Sequence, residues 1–111
     1  MERNTSNFKL TYVGHSGFCL QHNDIALIFD FYTDEANRIP DIIKDSGRVL
    51  VFVSHFHKDH FNPEIFDWLK VNPNISYILS SDVIKHNRFM KFPDSVTVIR
   101  PGESLVIDGV M

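Results

Sequence analysis

An apolar strand runs directly into a cluster of histidines in the segment Val49-Leu50-Val51-Phe52-Val53-Ser54-His55-Phe56-His57-Lys58-Asp59-His60. The first five residues are all apolar, which is typical of a strand buried on both faces of a sheet. The triplet Asn62-Pro63-Glu64 follows with the residue order of a helix start: an N-cap Asn, Pro at the first position and an acid in the first turn. The histidines are therefore predicted to lie in a loop between a buried strand and a helix.

This loop concentrates side chains that bind metals. The candidate ligands fall within six residues and are His55, His57, Asp59 and His60. In an extended segment the imidazoles of His55 and His57 point to the same side, so both can bind one ion. A tight turn then brings the last two candidates to the other side, where they can hold a second ion. Imidazole and carboxylate suit Zn²⁺ first, with Mn²⁺ or Fe as alternatives. The competing interpretation, a solvated surface cluster, is disfavoured because ordinary loops seldom concentrate such residues.

Short segments separated by turn residues flank the loop on both sides. Upstream, the patterns predict strands over 8–13, 17–21 and 25–29, then one or two helical turns over 40–45. Downstream, they predict a strand over 75–79, a short helix over 81–86, and final strands over 96–99 and 104–107. The strand–helix–strand order before the histidine loop predicts a βαβ crossover with helices covering the sheet.

The composition is that of an ordinary globular domain. Of the 111 residues, 43% are hydrophobic and 23% charged, which excludes disordered and collagen-like sequences. Eleven Lys and Arg against 14 Asp and Glu give a net charge of −3. This charge provides no global attraction to nucleic acid or to anionic membranes.

Cysteine usage and targeting signals bear on location. Cys19 is the only cysteine and alternates inward in an apolar strand, so we expect a core residue rather than a nucleophile. The first residues lack the apolar core of a signal peptide, and no apolar run approaches the ~18 residues that cross a membrane. We therefore expect a cytoplasmic protein with no membrane partner.

The histidine loop matches the HxHxDH signature of the metallo-β-lactamase superfamily. Upstream, Gly14-His15-Ser16-Gly17-Phe18 and Ile28-Phe29-Asp30 resemble the opening of its lactonase-like branch, and the order of elements is similar over about residues 8 to 108. The resemblance implies an α/β fold: the N-terminal half of an αββα sandwich, a mixed sheet with flanking helices. Residues 1–111 are accordingly interpreted as the N-terminal, truncated portion of one such domain.

The resemblance also implies roles for single residues. His55 and His57 would hold the first metal, and Asp59 and His60 the second, giving two zinc ions in the complete protein. As the catalytic residue, Asp59 would also orient or deprotonate the attacking water. Asp30 would brace the metal-bearing loop by hydrogen bonds.

The sequence departs from the family pattern after the histidine loop. The family completes its sites with a further His, a bridging Asp and a last His, whereas the only later histidine here is His86, in a predicted surface helix. We therefore expect this chain alone to bind metal weakly and to hydrolyse poorly.

The predicted function is a metal-dependent hydrolase that uses metal-activated hydroxide on a small ester or lactone-like substrate. Nucleic acid is not the favoured partner, because no basic stripe with interleaved aromatic residues is present. One alternative is a phosphodiesterase or nuclease of the same fold. The other is an inactive half-fold module that binds metal or self-associates as a homodimer through an exposed sheet edge.

The remaining histidines have simpler interpretations. His15 is either a contact to substrate or to the metal ligands, or a polar turn residue. His22 and His86 are predicted to be solvated.

Overall fold

The chain folds around a mixed sheet whose strands lie in the order of the sequence. The computed structural model describes residues 7–57 and 60–107. Within these ranges the strands are β1 (Lys9–Gly14), β2 (Gly17–His22), β3 (Ile25–Phe29), β4 (Arg48–Val53), β5 (Ile75–Ser80) and β6 (Val96–Ile99). The first three form an antiparallel meander, and β3 to β6 run parallel. The predicted mixed α/β sheet is confirmed.

Helices connect the parallel strands, as the predicted crossover requires. They are α1 (Ile39–Asp45), a 3₁₀ helix (Pro63–Lys70) and α2 (Ser81–His86). The helix start at Asn62 is confirmed, because its side chain accepts the Glu64 N–H at 3.0 Å, although the helix is 3₁₀. The Asp34 carboxylate accepts the N–H groups of Arg38 and Ile39 at 2.9 and 2.8 Å, and so caps α1.

The hydrophobic core lies between the helices and one face of the sheet. A row of fully buried side chains crosses four neighbouring strands: Cys19, Ile28, Val51 and Tyr77. The helices contribute Ile43, Ile65 and Val83 to the same core. Tyr77 donates its hydroxyl to the Ile65 carbonyl at 2.6 Å, so this buried polar group is satisfied.

The opposite face of the sheet is apolar but partly open. Phe29 stacks on Phe52 with ring centroids 4.9 Å apart, while Leu10 and Tyr12 are 64% and 56% exposed. The continuous apolar run over 25–29 also predicts a strand buried on both faces, and this expectation is wrong, since Ala26 and Ile28 are buried and their neighbours only half-buried. The helices cover only the other side.

The predicted final strand over 104–107 is also wrong. These residues are irregular, and 105–107 line a cavity of about 340 Å³ together with Leu50 and Ile78 of the open face. A turn at Pro101-Gly102, closed by the Glu103 N–H to Arg100 carbonyl hydrogen bond, precedes them. The segment thus lies over the face of the sheet instead of pairing along its edge, with Leu105 and Val106 still 43% and 92% exposed.

Single residues confirm or correct the sequence interpretation. Cys19 is buried, and burial raises the pKa of its thiol to about 11, which fits a core residue rather than a nucleophile. His22 is buried rather than solvated, because its ring stacks on Phe8 with centroids 4.4 Å apart and Nδ1 lies 3.0 Å from the Asn7 carbonyl oxygen. No helix in the described part of the chain is long and apolar enough to span a membrane.

Candidate metal centre

The histidine loop begins where β4 ends and turns back on itself. The His57 carbonyl accepts the N–H groups of His60 and Phe61, both at 2.9 Å, which closes the predicted tight turn. The rings of His55 and His57 are nearly parallel, with planes at 7° and centroids 6.0 Å apart. The His60 ring lies 4.8 Å from that of His55. The turn therefore brings three of the predicted ligands together, with His55 and His57 exposed to solvent.

The fourth predicted ligand, Asp59, lies outside the described residues, as does Lys58. Within 7–57 and 60–107, no three His, Cys, Asp or Glu side chains are arranged to hold one ion between them. The three imidazoles are thus close together but do not by themselves form a complete set of ligands for one ion.

Hydrogen bonds to Ser54 fix which nitrogen of His55 is available. Ser54 Oγ donates its single hydrogen to Asp30 Oδ2 at 2.8 Å, because a carboxylate can only accept. Ser54 Oγ must then accept from His55 Nδ1–H, 2.9 Å away. This arrangement leaves the lone pair on His55 Nε2, the form in which imidazole binds a metal. The donor chemistry of the loop therefore fits a divalent ion.

Asp30 holds the loop from the end of β3. Its Oδ1 accepts the Ser54 N–H at 2.7 Å, and its Oδ2 lies 3.3 Å from His60 Nδ1. The Asp30 N–H donates to the Phe52 carbonyl at 2.8 Å, and its φ of 48° is in the left-handed region that Asp tolerates. The hydrogen bonds expected from Asp30 are present.

The β1–β2 turn packs closely against this region. A Cβ on Gly17 would lie 3.2 Å from the Asp30 carbonyl oxygen and 2.9 Å from Val13 Cγ2, so the absence of a side chain lets the turn approach Asp30. His15 is exposed at φ 54°, and its ring meets Tyr32 edge-on at 5.0 Å. His15 therefore lies in the turn, as one of its two interpretations predicts, and a contact to substrate or to the metal ligands stays a prediction.

Asp82, in the first turn of α2, contacts the histidine loop. This contact is not predicted from the sequence. Its Oδ2 accepts the Phe56 N–H at 3.1 Å, and its Oδ1 accepts the Ser80 hydroxyl. Burial acts to raise the pKa of Asp82, but the hydrogen bonds from Ser80 and Phe56 and the nearby His55 outweigh it and hold that pKa below its ordinary value. His86 is exposed, as predicted, but its ring stacks on Phe56.

A cavity of about 620 Å³ lies between α1 and the 3₁₀ helix over Phe31, Ile43 and Trp68. Its described lining contains no residue of the histidine loop. The cavity therefore lies apart from the described residues of the candidate metal centre.

Comparison with known proteins identifies the family. The family model described as "Beta-lactamase superfamily domain" matches residues 9–111. A crystal structure of DIM-1 metallo-β-lactamase exposed to ceftazidime has a similar fold, with a TM-score of 0.54 and 18% sequence identity over 96% of this chain. The chain spans 58% of the length of that structure. Among curated protein sequences no significant match is found. Because the family model covers almost all of its residues, the chain belongs to the β-lactamase superfamily, as its HxHxDH signature predicts.

Proposed function

We propose that this chain carries the metal-binding loop of a metal-dependent hydrolase that acts on a small ester or lactone-like substrate. The observation that carries the proposal is the group of imidazoles at the end of β4, with the lone pair of His55 directed away from Ser54. Membership of the β-lactamase superfamily supports the reaction class.

In the proposed centre, His55 and His57 hold the first ion, and Asp59 and His60 hold the second. Zn²⁺ is the first choice for these donors, with Mn²⁺ or Fe as alternatives. When bound, the divalent ion supplies a hydroxide nucleophile near neutral pH and stabilises negative charge on the substrate.

The residues of this chain act mainly by orientation in this proposal. Ser54 and Asp30 keep the His55 proton on Nδ1, so that Nε2 faces the site. Asp59 is the proposed catalytic residue, which orients or accepts a proton from the attacking water. The lone buried Cys19 is compatible with a reducing compartment, and a cytoplasmic location belongs to the proposal.

The first experiment measures hydrolysis by the purified chain with Zn²⁺ or Mn²⁺, using an aryl ester, a simple lactone and a bis-aryl phosphodiester. We expect slow, metal-dependent hydrolysis of the ester or lactone, reduced by at least about 100-fold in His55→Ala/His57→Ala, as loss of metal-held nucleophile predicts. Asp67→Asn, which removes an exposed carboxylate paired with Lys70 on the 3₁₀ helix, is the control.

Two results would change the assignment. Preferential hydrolysis of the phosphodiester would favour the phosphodiesterase or nuclease alternative, which the net charge of −3 does not suggest. A rate equal in wild type and the double variant would contradict a role for the histidine loop.

Self-association is the second candidate function, and the partly open apolar face of the sheet favours it. Leu10, Tyr12 and Phe18 are exposed there by 64%, 56% and 39%, beside the β1 edge of the sheet. Buried apolar area and edge pairing would both stabilise a homodimer. Light scattering should then give a monodisperse dimer that Leu10→Lys, next to the edge, converts to monomer. A wild-type chain that is monomeric at high concentration would contradict this candidate.

A further inference from the structure

We propose that Asp82 is a positioning residue for the histidine loop: from α2, its carboxylate fixes the backbone at Phe56 and thereby the orientation of His57. The inference rests on the proposed function, because the orientation of His57 matters for metal binding. The contact joins groups of this chain alone, so it can be tested separately from metal binding.

The loop residues after β4 are held by side chains from two other elements. The β4–β5 pairing ends at Val53, opposite Leu79, so Ser54 and Phe56 lie beyond the ladder. Asp30 accepts the Ser54 N–H at 2.7 Å, and Asp82 accepts the Phe56 N–H at 3.1 Å. Two carboxylates thus accept hydrogen bonds from the N–H groups of the residues before and after His55. Within a sheet, the carbonyl groups of a neighbouring strand would accept them.

The Asp82 carboxylate is itself held in place. Its second oxygen accepts the Ser80 hydroxyl at the end of β5. Val83, the next residue of α2, is fully buried in the core. The position of the Asp82 carboxylate is therefore fixed by the rigid part of the fold, and the carboxylate does not move freely as on an exposed side chain.

The ring of Phe56 links the position of the Asp82 carboxylate to the orientation of His57, a predicted metal ligand. His86, one turn along α2, stacks on Phe56 with centroids 3.7 Å apart and planes at 8°. The His86 Nδ1 atom lies 2.9 Å from the Asp82 carbonyl oxygen, which orients the stacked imidazole. Phe56 also packs against the His57 ring, with centroids 4.5 Å apart and planes at 50°. The position of Phe56 therefore limits the directions that the His57 ring can take.

The test begins with the metal-free chain. In Asp82→Ala, exchange of the Phe56 amide hydrogen with solvent should accelerate by roughly 10–100-fold, because its acceptor is lost. The NMR signals of the His57 ring should shift at the same time. Asp82→Asn retains an acceptor oxygen and should restore most of both signatures. Lys85→Ala, an exposed position on the same helix, is the control.

A second variant guards against unfolding of α2. Asp82→Ser keeps a residue suited to a first helical turn but is too short to reach the Phe56 N–H. A folded Asp82→Ala or Asp82→Ser chain with wild-type exchange at Phe56 and unchanged His57 signals would overturn the inference.

Metal affinity separates this inference from the proposed function. Where the wild type binds Zn²⁺, Asp82→Ala should bind it about tenfold more weakly, as for other residues that orient ligands, and equal affinity would overturn the inference. If Phe56 exchange accelerates in the variant while the wild type binds no Zn²⁺, the positioning by Asp82 is supported and the proposed metal function is not.

Discussion

Replacing His55 and His57 together by alanine is expected to lower the affinity of the chain for Zn²⁺ by at least about 100-fold. A structural zinc site gains about 10–16 kcal/mol from four ligands, so each ligand contributes roughly 3 kcal/mol, or a factor of about 100. The loss should therefore be large even where the starting affinity is weak. Competition with a chromophoric zinc indicator measures it directly.

The variant should fold normally, which makes the result interpretable. Both side chains are exposed, and such substitutions usually change stability by no more than about 0.5 kcal/mol. His15→Asn is a matched control, because it removes an exposed imidazole from the β1–β2 turn and keeps a residue that tolerates its φ of 54°. Zinc affinity that is the same in the double variant and in the control would contradict the assignment of His55 and His57.

Gly14→Ala is expected to destabilise the fold by about 2–4 kcal/mol. Gly14 has a φ of 142°, which side chains rarely adopt, and its added Cβ would lie 2.7 Å from Thr33 Oγ1 and 2.9 Å from Glu35 Oε2. The substitution therefore adds backbone strain and steric overlap together. Chemical denaturation followed by circular dichroism measures the loss.

Gly102→Ala separates the two causes. Gly102 also has a positive φ, 86°, but an added Cβ there would meet nothing within 4 Å. Gly102→Ala should lower the free energy of unfolding only by the backbone strain, about 1 kcal/mol. Equal losses at the two glycines would show that the contact with Thr33 and Glu35 contributes nothing. Such a result would also show that Gly14 is not required for close packing of the β1–β2 turn against Thr33 and Glu35.

The position of the histidine loop could be predicted because the signals are local. A continuous apolar run predicts β4, and Asn62 with Pro63 marks the next helix, so the loop between them follows directly. The bracing by Asp30 came from the family resemblance, and the hydrogen bonds to Ser54 bear it out.

Contacts between distant segments could not be predicted in the same way. Asp82 reaches Phe56 only because β4 and β5 are adjacent and parallel, which brings the start of α2 beside the loop. Burial of His22 depends on the stacking of Phe8, which directly precedes β1, on its ring. Neither pairing leaves a periodic pattern in the sequence.

Residues 104–107 show a different limit of pattern reasoning. Ser104-Leu105-Val106-Ile107 has the composition of a strand, yet in the structure Leu105 contributes to a cavity over the open face of the sheet. Strand-like composition therefore does not by itself produce hydrogen-bonded pairing, and here it does not produce burial either, since Leu105 and Val106 are 43% and 92% exposed. Tertiary packing decides whether such a segment pairs along the edge of the sheet or lies over its face.

The most direct test of the metal centre is a Zn²⁺ titration of the wild-type chain, followed through the imidazole ¹⁵N signals of its six histidines. His55, His57 and His60 should shift together as zinc is added, while the turn residue His15 and the buried His22 stay unchanged and serve as internal controls. Equal, weak shifts of all exposed histidines, or none at the three loop residues, would show a solvated surface cluster and contradict the account.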